Sequence, residues 1–76
     1  MDDEKSQFRV AAERWTDDPH TVEILCAVNY AIIGCESKIG HRISDFDDYV
    51  AATGKDGALD RTWFAMWQEV RKGIGL

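Results

Sequence analysis

The chain has 76 residues and a mass of 8.6 kDa, which suffices for one domain and excludes a multidomain enzyme. Hydrophobic residues make up 45% of the sequence and proline occurs once, a composition typical of a packed globular chain. Fourteen acidic residues against nine basic ones give a net charge of −5, which disfavours a nucleic-acid ligand.

The first predicted helix runs from about Glu4 to Trp15. Its apolar residues recur three and four positions apart, the spacing of one helix face. These residues are Phe8, Ala11, Ala12 and Trp15. Negative charge at the N-terminal end, from Asp2, Asp3 and Glu4, favours the helix there because it complements the backbone dipole.

The second predicted helix begins at Pro19, with Asp18 as N-cap, and ends at about Ile39, before Gly40. Its main apolar stripe consists of Val22, Leu25, Val28, Ile32, Ile33 and Ile39. Small residues form a second face, namely Ala27, Ala31 and Gly34. Such a face allows a close helix crossing, either within the chain or across a two-fold dimer.

Two polar residues, Asn29 and Glu36, interrupt the apolar arc of this helix. A buried amide needs a hydrogen-bond partner, and a polar pair in an apolar stripe can set the register of helix packing. The alternative is a satisfied core amide together with a glutamate that reaches solvent at the helix end.

The third predicted helix is short, from about Ser44 to Thr53, with Ser44 as N-cap and Gly54 in a left-handed conformation after its end. Three acids occupy its first turn: Asp45, Asp47 and Asp48. Its apolar positions are Ile43, Phe46 and Val50.

The fourth predicted helix runs from about Ala58 to Lys72 and has the clearest helical periodicity in the chain. Its stripe consists of Leu59, Trp63, Met66, Trp67, Val70 and Ile74. Phe64 lies outside that stripe, so we expect it at an exposed or interfacial position.

These elements predict an all-α fold, in which a single domain over residues 1–76 packs four helices, the third short, around the long apolar second helix. The predicted core consists of Phe8, Trp15, Leu25, Val28, Ile32, Phe46, Val50, Trp63, Trp67 and Val70.

No catalytic, metal-binding or cofactor-binding motif is present, and we expect no enzyme activity. Cys26 and Cys35 are nine positions apart and are expected to be buried free thiols, and Cys35 and His41 have no spacing that relates them. The longest apolar run is too short to cross a bilayer, and the acidic N-terminus is unlike a secretion signal. The sequence therefore predicts a cytoplasmic protein.

The function favoured by the sequence is stoichiometric binding to a partner protein, as by a phage-encoded inhibitor or anti-activator, with a homodimer as the expected assembly. Two surfaces compete as the binding site: the aromatic set Phe64, Trp67 and Arg71, and the acidic set Asp45, Asp47 and Asp48. The dimer contact is expected at Ala27, Ala31 and Gly34 or at the exposed aromatics of the fourth helix.

Two alternatives remain open. The acids could imitate nucleic-acid phosphates, in the manner of some anti-CRISPR proteins. The third and fourth helices could instead form a helix-turn-helix regulator, although the acids in the third helix would then lie where phosphates pass.

Overall fold

The computed structural model describes residues 3–74, with side chains from residue 6 onward. Within this range there are four helices and no strand, which confirms the predicted all-α fold. The helices are α1 (Asp3–Trp15), α2 (Pro19–Ile39), α3 (Phe46–Thr53) and α4 (Ala58–Gly73). The expectation for the acidic side chains at positions 2–4 lies outside the described residues. In residues 3–74, no helix combines the length and the apolar character that a membrane span requires.

Helices α2 and α4 form the centre of the molecule, because each of them packs against all three other helices. Helix α1 and helix α3 each pack on this central pair, and among residues 3–74 no Cα atom of one lies within 8 Å of a Cα atom of the other. The resulting body is flat, with extents of 31 × 31 × 17 Å. A flat body of this kind leaves a large part of each outer helix exposed.

Local capping residues position the start of α2 and the ends of α2 and α3 as predicted. The Asp18 carboxylate accepts hydrogen bonds from the His20 amide at 3.1 Å and from the Thr21 hydroxyl at 2.7 Å, so it caps α2. Gly40 and Gly54 adopt φ values of 82° and 74°, which end α2 and α3 in the left-handed region that glycine accepts without strain.

The predicted start of α3 at Ser44 is wrong, because Asp45 is the N-cap and the helix begins at Phe46. The Asp48 amide donates to the Asp45 carboxylate at 2.8 Å. Ser44 instead donates its hydroxyl to the Asp48 carboxylate at 2.9 Å. The carboxylate of Asp45 thus takes the position that we assigned to the serine hydroxyl.

The predicted core is confirmed in part. Five of its members are buried: Phe8, Leu25, Ile32, Trp67 and Val70. Four are half-buried, namely Val28, Phe46, Val50 and Trp63. Of these, Val28, Phe46 and Trp63 pack against that core. The prediction is wrong for Trp15, which is 44% exposed, and the stripe residues Ile39 and Leu59 are also exposed. Residues that the predicted core omits complete it: Ala12, Val22, Ile43, Tyr49 and Phe64.

Candidate functional site

The aromatic surface expected on α4 is part of the core. Phe64 is only 2% exposed, so its predicted exposure is wrong. Its ring centroid lies 5.7 Å from that of Phe46, 5.1 Å from that of Tyr49 and 5.3 Å from that of Trp67. Helix α3 covers Phe64 with the rings of Phe46 and Tyr49, and the buried side of α4 is therefore rotated towards Phe64 compared with the predicted stripe.

Trp67 is also enclosed and cannot contact a partner in this structure. Its indole N–H donates to the side-chain oxygen of Asn29 at 2.9 Å, which joins α4 to α2 in the core. Asn29 is therefore a satisfied core amide, one of the two roles that the sequence left open.

Arg71, the third member of the expected aromatic surface, is buried as well, with 6% exposure. Its guanidinium donates to both carboxylate oxygens of Glu36, at 2.8 and 3.0 Å, and stacks 4.7 Å from the centre of the Trp67 ring. The Glu36 carboxylate also accepts a hydrogen bond from the Ile43 amide at 2.8 Å. Glu36 thus pairs with a buried cation and does not extend into solvent as one interpretation held.

The acidic set lies at the surface around the start of α3. Asp45 and Asp48 have structural roles there, the first as N-cap and the second as acceptor for Ser44. The hydrogen bond from the Ser44 hydroxyl holds the pKa of the Asp48 carboxyl below its ordinary value. Asp47 is exposed in the same turn.

The small-residue face of α2 is exposed at all three of its positions, Ala27, Ala31 and Gly34. A Cβ atom added at Gly34 would meet no atom within 4 Å. The interpretation that another helix of the same chain packs there is therefore wrong, because α1, α3 and α4 use the other sides of α2. The dimer interpretation stays a prediction.

Both cysteines are free thiols and half-buried against the core, which is less burial than predicted. Burial raises the pKa of the Cys26 thiol, although the nearby Arg9 acts in the opposite direction. In the part of the chain that the structure describes, no three histidine, cysteine, aspartate or glutamate side chains are grouped as metal ligands.

A wide concave surface lies between α1 and the C-terminal end of α4, and we call it the α1–α4 groove. It has a volume of about 710 Å³. Its walls consist of Ser6, Gln7, Val10, Ala11, Arg14, Trp15, Gly73 and Ile74. It is an open groove on the surface of the molecule and not an enclosed cavity.

This groove combines exposed apolar side chains with one cation. Val10 is 47% exposed and Trp15 is 44% exposed, and Ile74 is half-buried on the opposite wall. Arg14 is exposed and forms no ion pair with any residue between positions 6 and 74. The groove therefore presents apolar area beside a guanidinium that remains available to a ligand.

The α1–α4 groove was not predicted from the sequence. One signal was present, because Val10 is an apolar residue that the α1 stripe leaves on the polar side of the helix. The contribution of Ile74 had no such signal, since it depends on where α4 ends relative to α1.

No protein-family model matches this chain, and neither a curated protein nor a solved structure matches it.

Proposed function

We propose that this chain acts by binding another protein stoichiometrically through the α1–α4 groove, as an inhibitor or anti-activator, and not by catalytic turnover. The observation that carries the proposal is the groove itself, where Trp15 and Val10 remain exposed next to Arg14. Tryptophan and arginine are enriched at the energetically dominant positions of protein interfaces. An apolar groove with one available cation suits an apolar side chain flanked by a carboxylate.

The groove is a better candidate than either surface expected from the sequence. The aromatic set is buried, and its contacts and hydrogen bonds lie inside the molecule; its members are Phe64, Trp67 and Arg71. Two of the three acids at the start of α3 have roles in helix capping and loop structure. Interaction with a basic partner would compete with those hydrogen bonds.

The contacts of α4 weigh against a helix-turn-helix function. The Arg61 guanidinium stacks 4.5 Å from the centre of the Phe46 ring, and Arg71 pairs with Glu36. Lys72 lies 3.6 Å from the Glu69 carboxylate. A recognition helix needs cations that face phosphate and base edges, and these three contact groups of their own chain.

The test uses the tagged chain to isolate its partner from host extract, followed by binding measurements with the purified partner. We expect a 1:1 complex for the unaltered protein. Trp15→Ser should weaken that complex by about 30-fold, the effect of losing an interface residue worth about 2 kcal/mol.

The matched control is Leu59→Ser, which removes another apolar side chain that is 75% exposed but lies outside the groove. It should leave affinity unchanged, and far-ultraviolet circular dichroism should show both variants folded. A triple change of Asp45, Asp47 and Asp48 to Asn tests the acidic alternative, since asparagine keeps a side-chain acceptor. Loss of binding in the triple variant with full binding by Trp15→Ser would contradict the groove assignment.

A further inference from the structure

We propose that α3 is a lid that detaches and unfolds by itself while α1, α2 and α4 stay folded, and that its opening uncovers the buried ring of Phe64 on α4. The lid lies on a different face of the molecule from the α1–α4 groove, and its opening does not depend on the proposed function. Local openings of this kind take place in parts of a fold that have few buried apolar contacts.

Helix α3 is too short to be stable away from the other helices. It comprises 8 residues, Phe46–Thr53, and isolated helices shorter than about 12 residues are marginal in water. Tyr49 is its only buried side chain, at 8% exposure. The other outer helix, α1, differs because its Phe8 and Ala12 are fully buried. Detachment of α3 from the central pair therefore unfolds it as well.

Aromatic ring contacts attach α3 to α4. Phe46 and Tyr49 lie against Phe64, with centroid distances of 5.7 and 5.1 Å. The Arg61 guanidinium lies 4.5 Å from the centre of the Phe46 ring. Among the residues whose side chains the structure describes, no hydrogen bond or ion pair joins α3 itself to α2 or α4. Detachment of α3 therefore breaks no hydrogen bond with the central pair.

The hydrogen bonds that anchor the preceding segment end just before α3. The Ile43 amide donates to the Glu36 carboxylate at 2.8 Å. The side-chain amide of Gln68 donates to the Ser44 carbonyl at 2.9 Å. After α3, residues 54–57 form an exposed loop without helical structure. The lid is thus bounded by an anchored segment on one side and by an exposed loop on the other, so it can open without disturbing either anchor.

Most of the buried core lies on the other three helices and stays in place when α3 opens. Leu25 and Ile32 of α2 are fully buried, and Trp67 of α4 keeps its hydrogen bond to Asn29 at 2.9 Å. Phe64 loses two of the rings that cover it. Opening therefore presents an aromatic side chain of α4 to solvent while the three-helix body persists.

Native-state hydrogen exchange of the whole chain, followed by NMR, measures the opening of each helix. The amides of residues 49–54 are bonded to carbonyls of the same turns and should share one protection factor, because they open together. This factor should be at least about 10-fold below that at the centre of α2. The centre of α1 should be protected as strongly as the centre of α2.

Urea below the unfolding transition gives a second measurement that needs no variant. Exchange at the centre of α2 should accelerate steeply with urea, because it requires the whole chain to unfold. Exchange in α3 should accelerate only slightly, because its opening exposes much less surface.

Two variants separate the lid from global unfolding. Val22→Ala shortens a core side chain of α2 that is 4% exposed, and it weakens the three-helix body equally with the lid open or closed. It should lower the protection of α2 about 10-fold and leave that of α3 unchanged. Asp45→Ala removes the N-cap of α3, which both the open and the unfolded chain lack. This variant should lower the protection of both helices by the same factor, about 5-fold.

Three outcomes would overturn the proposal. Equal protection and equal urea dependence in α3 and α2 would show that α3 opens only with the whole fold. An equal effect of Val22→Ala on both helices would show the same. Protection that changes gradually from one end of α3 to the other would indicate fraying and not a lid. None of these measurements involves a partner, so their result is independent of the test of the proposed function.

Discussion

Trp67 can be fully enclosed because Asn29 accepts the hydrogen bond of its indole N–H, at 2.9 Å. A large ring of this kind contributes much apolar area, but its single polar atom needs a partner once water is excluded. Asn29 lies 38 positions away on α2, in the middle of an apolar arc. This one hydrogen bond therefore allows the polar Asn29 of α2 and the enclosed Trp67 of α4 to lie in the same core.

We expect Asn29→Ala to lower the free energy of unfolding by about 1–3 kcal/mol, because the indole N–H would lose its acceptor in the core. For a domain of this size each kcal/mol lowers the melting temperature by about 4–8 °C. Urea unfolding followed by circular dichroism measures the effect.

Trp67→Phe supplies the control for that measurement. In the Trp67→Phe variant, Asn29→Ala should lower the free energy of unfolding by less than in the unaltered protein, because the indole N–H donor is already absent. If the loss of unfolding free energy in the double variant equals the sum of the two single losses to within about 0.5 kcal/mol, the hydrogen bond has no coupling energy and the assigned role is wrong.

At the scale of single helices, the ends of α2 and α3 depend on carboxylates that have defined donors. Hydrogen bonds from the Thr21 hydroxyl and the His20 amide hold the pKa of Asp18 below its ordinary value. The Ser44 hydroxyl and amide do the same for the pKa of Asp48. Both carboxylates favour the folded state only while they are ionised.

This predicts a stability that falls in acid. A folded pKa below the unfolded value means that each group stabilises the fold above its ordinary pKa of 3.8 and loses that effect as the pH falls through the folded value. The difference in unfolding free energy between the protein and its Asp18→Asn or Asp48→Asn variant should be largest near neutral pH. This difference should vanish well below pH 3.8. Urea titrations at a series of pH values measure it.

Asp47→Asn is the matched control, because Asp47 lies in the same turn but receives no hydrogen bond from any residue with a described side chain. At neutral pH, Asp47→Asn should lower the free energy of unfolding by less than Asp48→Asn, because it removes no such hydrogen bond. Equal losses for the two variants would contradict the assigned role of the Ser44 hydrogen bonds.

Helix ends are also where the sequence was most predictive. Asp18 and Pro19 start α2 and the glycines at 40 and 54 end their helices through contacts within a few residues, so the local sequence suffices. The N-cap of α3 was misassigned because Ser44 and Asp45 are adjacent and both can cap. Only the actual backbone path decides that Asp45 accepts the Asp48 amide.

At the scale of the whole molecule, Glu36 connects three segments that are distant in sequence. From the last turns of α2 it binds Arg71 on α4 and the amide of Ile43 in the segment that leads to α3. The side chains of Glu36 and Arg71 are 11% and 8% exposed, so both charges are almost entirely withdrawn from water. Their removal should affect the packing of all three segments.

We expect Glu36→Leu or Arg71→Leu alone to lower the unfolding free energy by about 3–5 kcal/mol, because each removes one member of a buried ion pair. The double variant should lose less unfolding free energy than the two single variants lose together, because neither charge of the pair remains buried. Chemical denaturation of the four proteins measures this cycle. Lys72→Ala, which breaks the exposed pair with Glu69, should change stability by about 0.5 kcal/mol or less.

The same long-range contacts explain what periodicity could not predict. Phe64 is covered because α3 places two aromatic rings against it, and Arg71 is buried because Glu36 lies opposite. Trp15 has the spacing of a core residue, yet it lies in the last turn of α1 beside an open groove. Helical spacing identifies a face, but the neighbouring helices decide how much of that face is covered.

Trp67 and Trp15 have different surroundings, so intrinsic tryptophan fluorescence can report on the fold and on the groove separately. Trp67 is enclosed and hydrogen-bonded, so we expect its emission at shorter wavelength and expect an aqueous quencher to reach it only when the chain unfolds. Trp15 is 44% exposed next to the cationic Arg14, so we expect iodide to quench its emission, which should lie at longer wavelength. With the half-buried third tryptophan removed by Trp63→Phe, fluorescence of the chain should therefore distinguish loss of the fold, seen at Trp67, from occupancy of the groove, seen at Trp15.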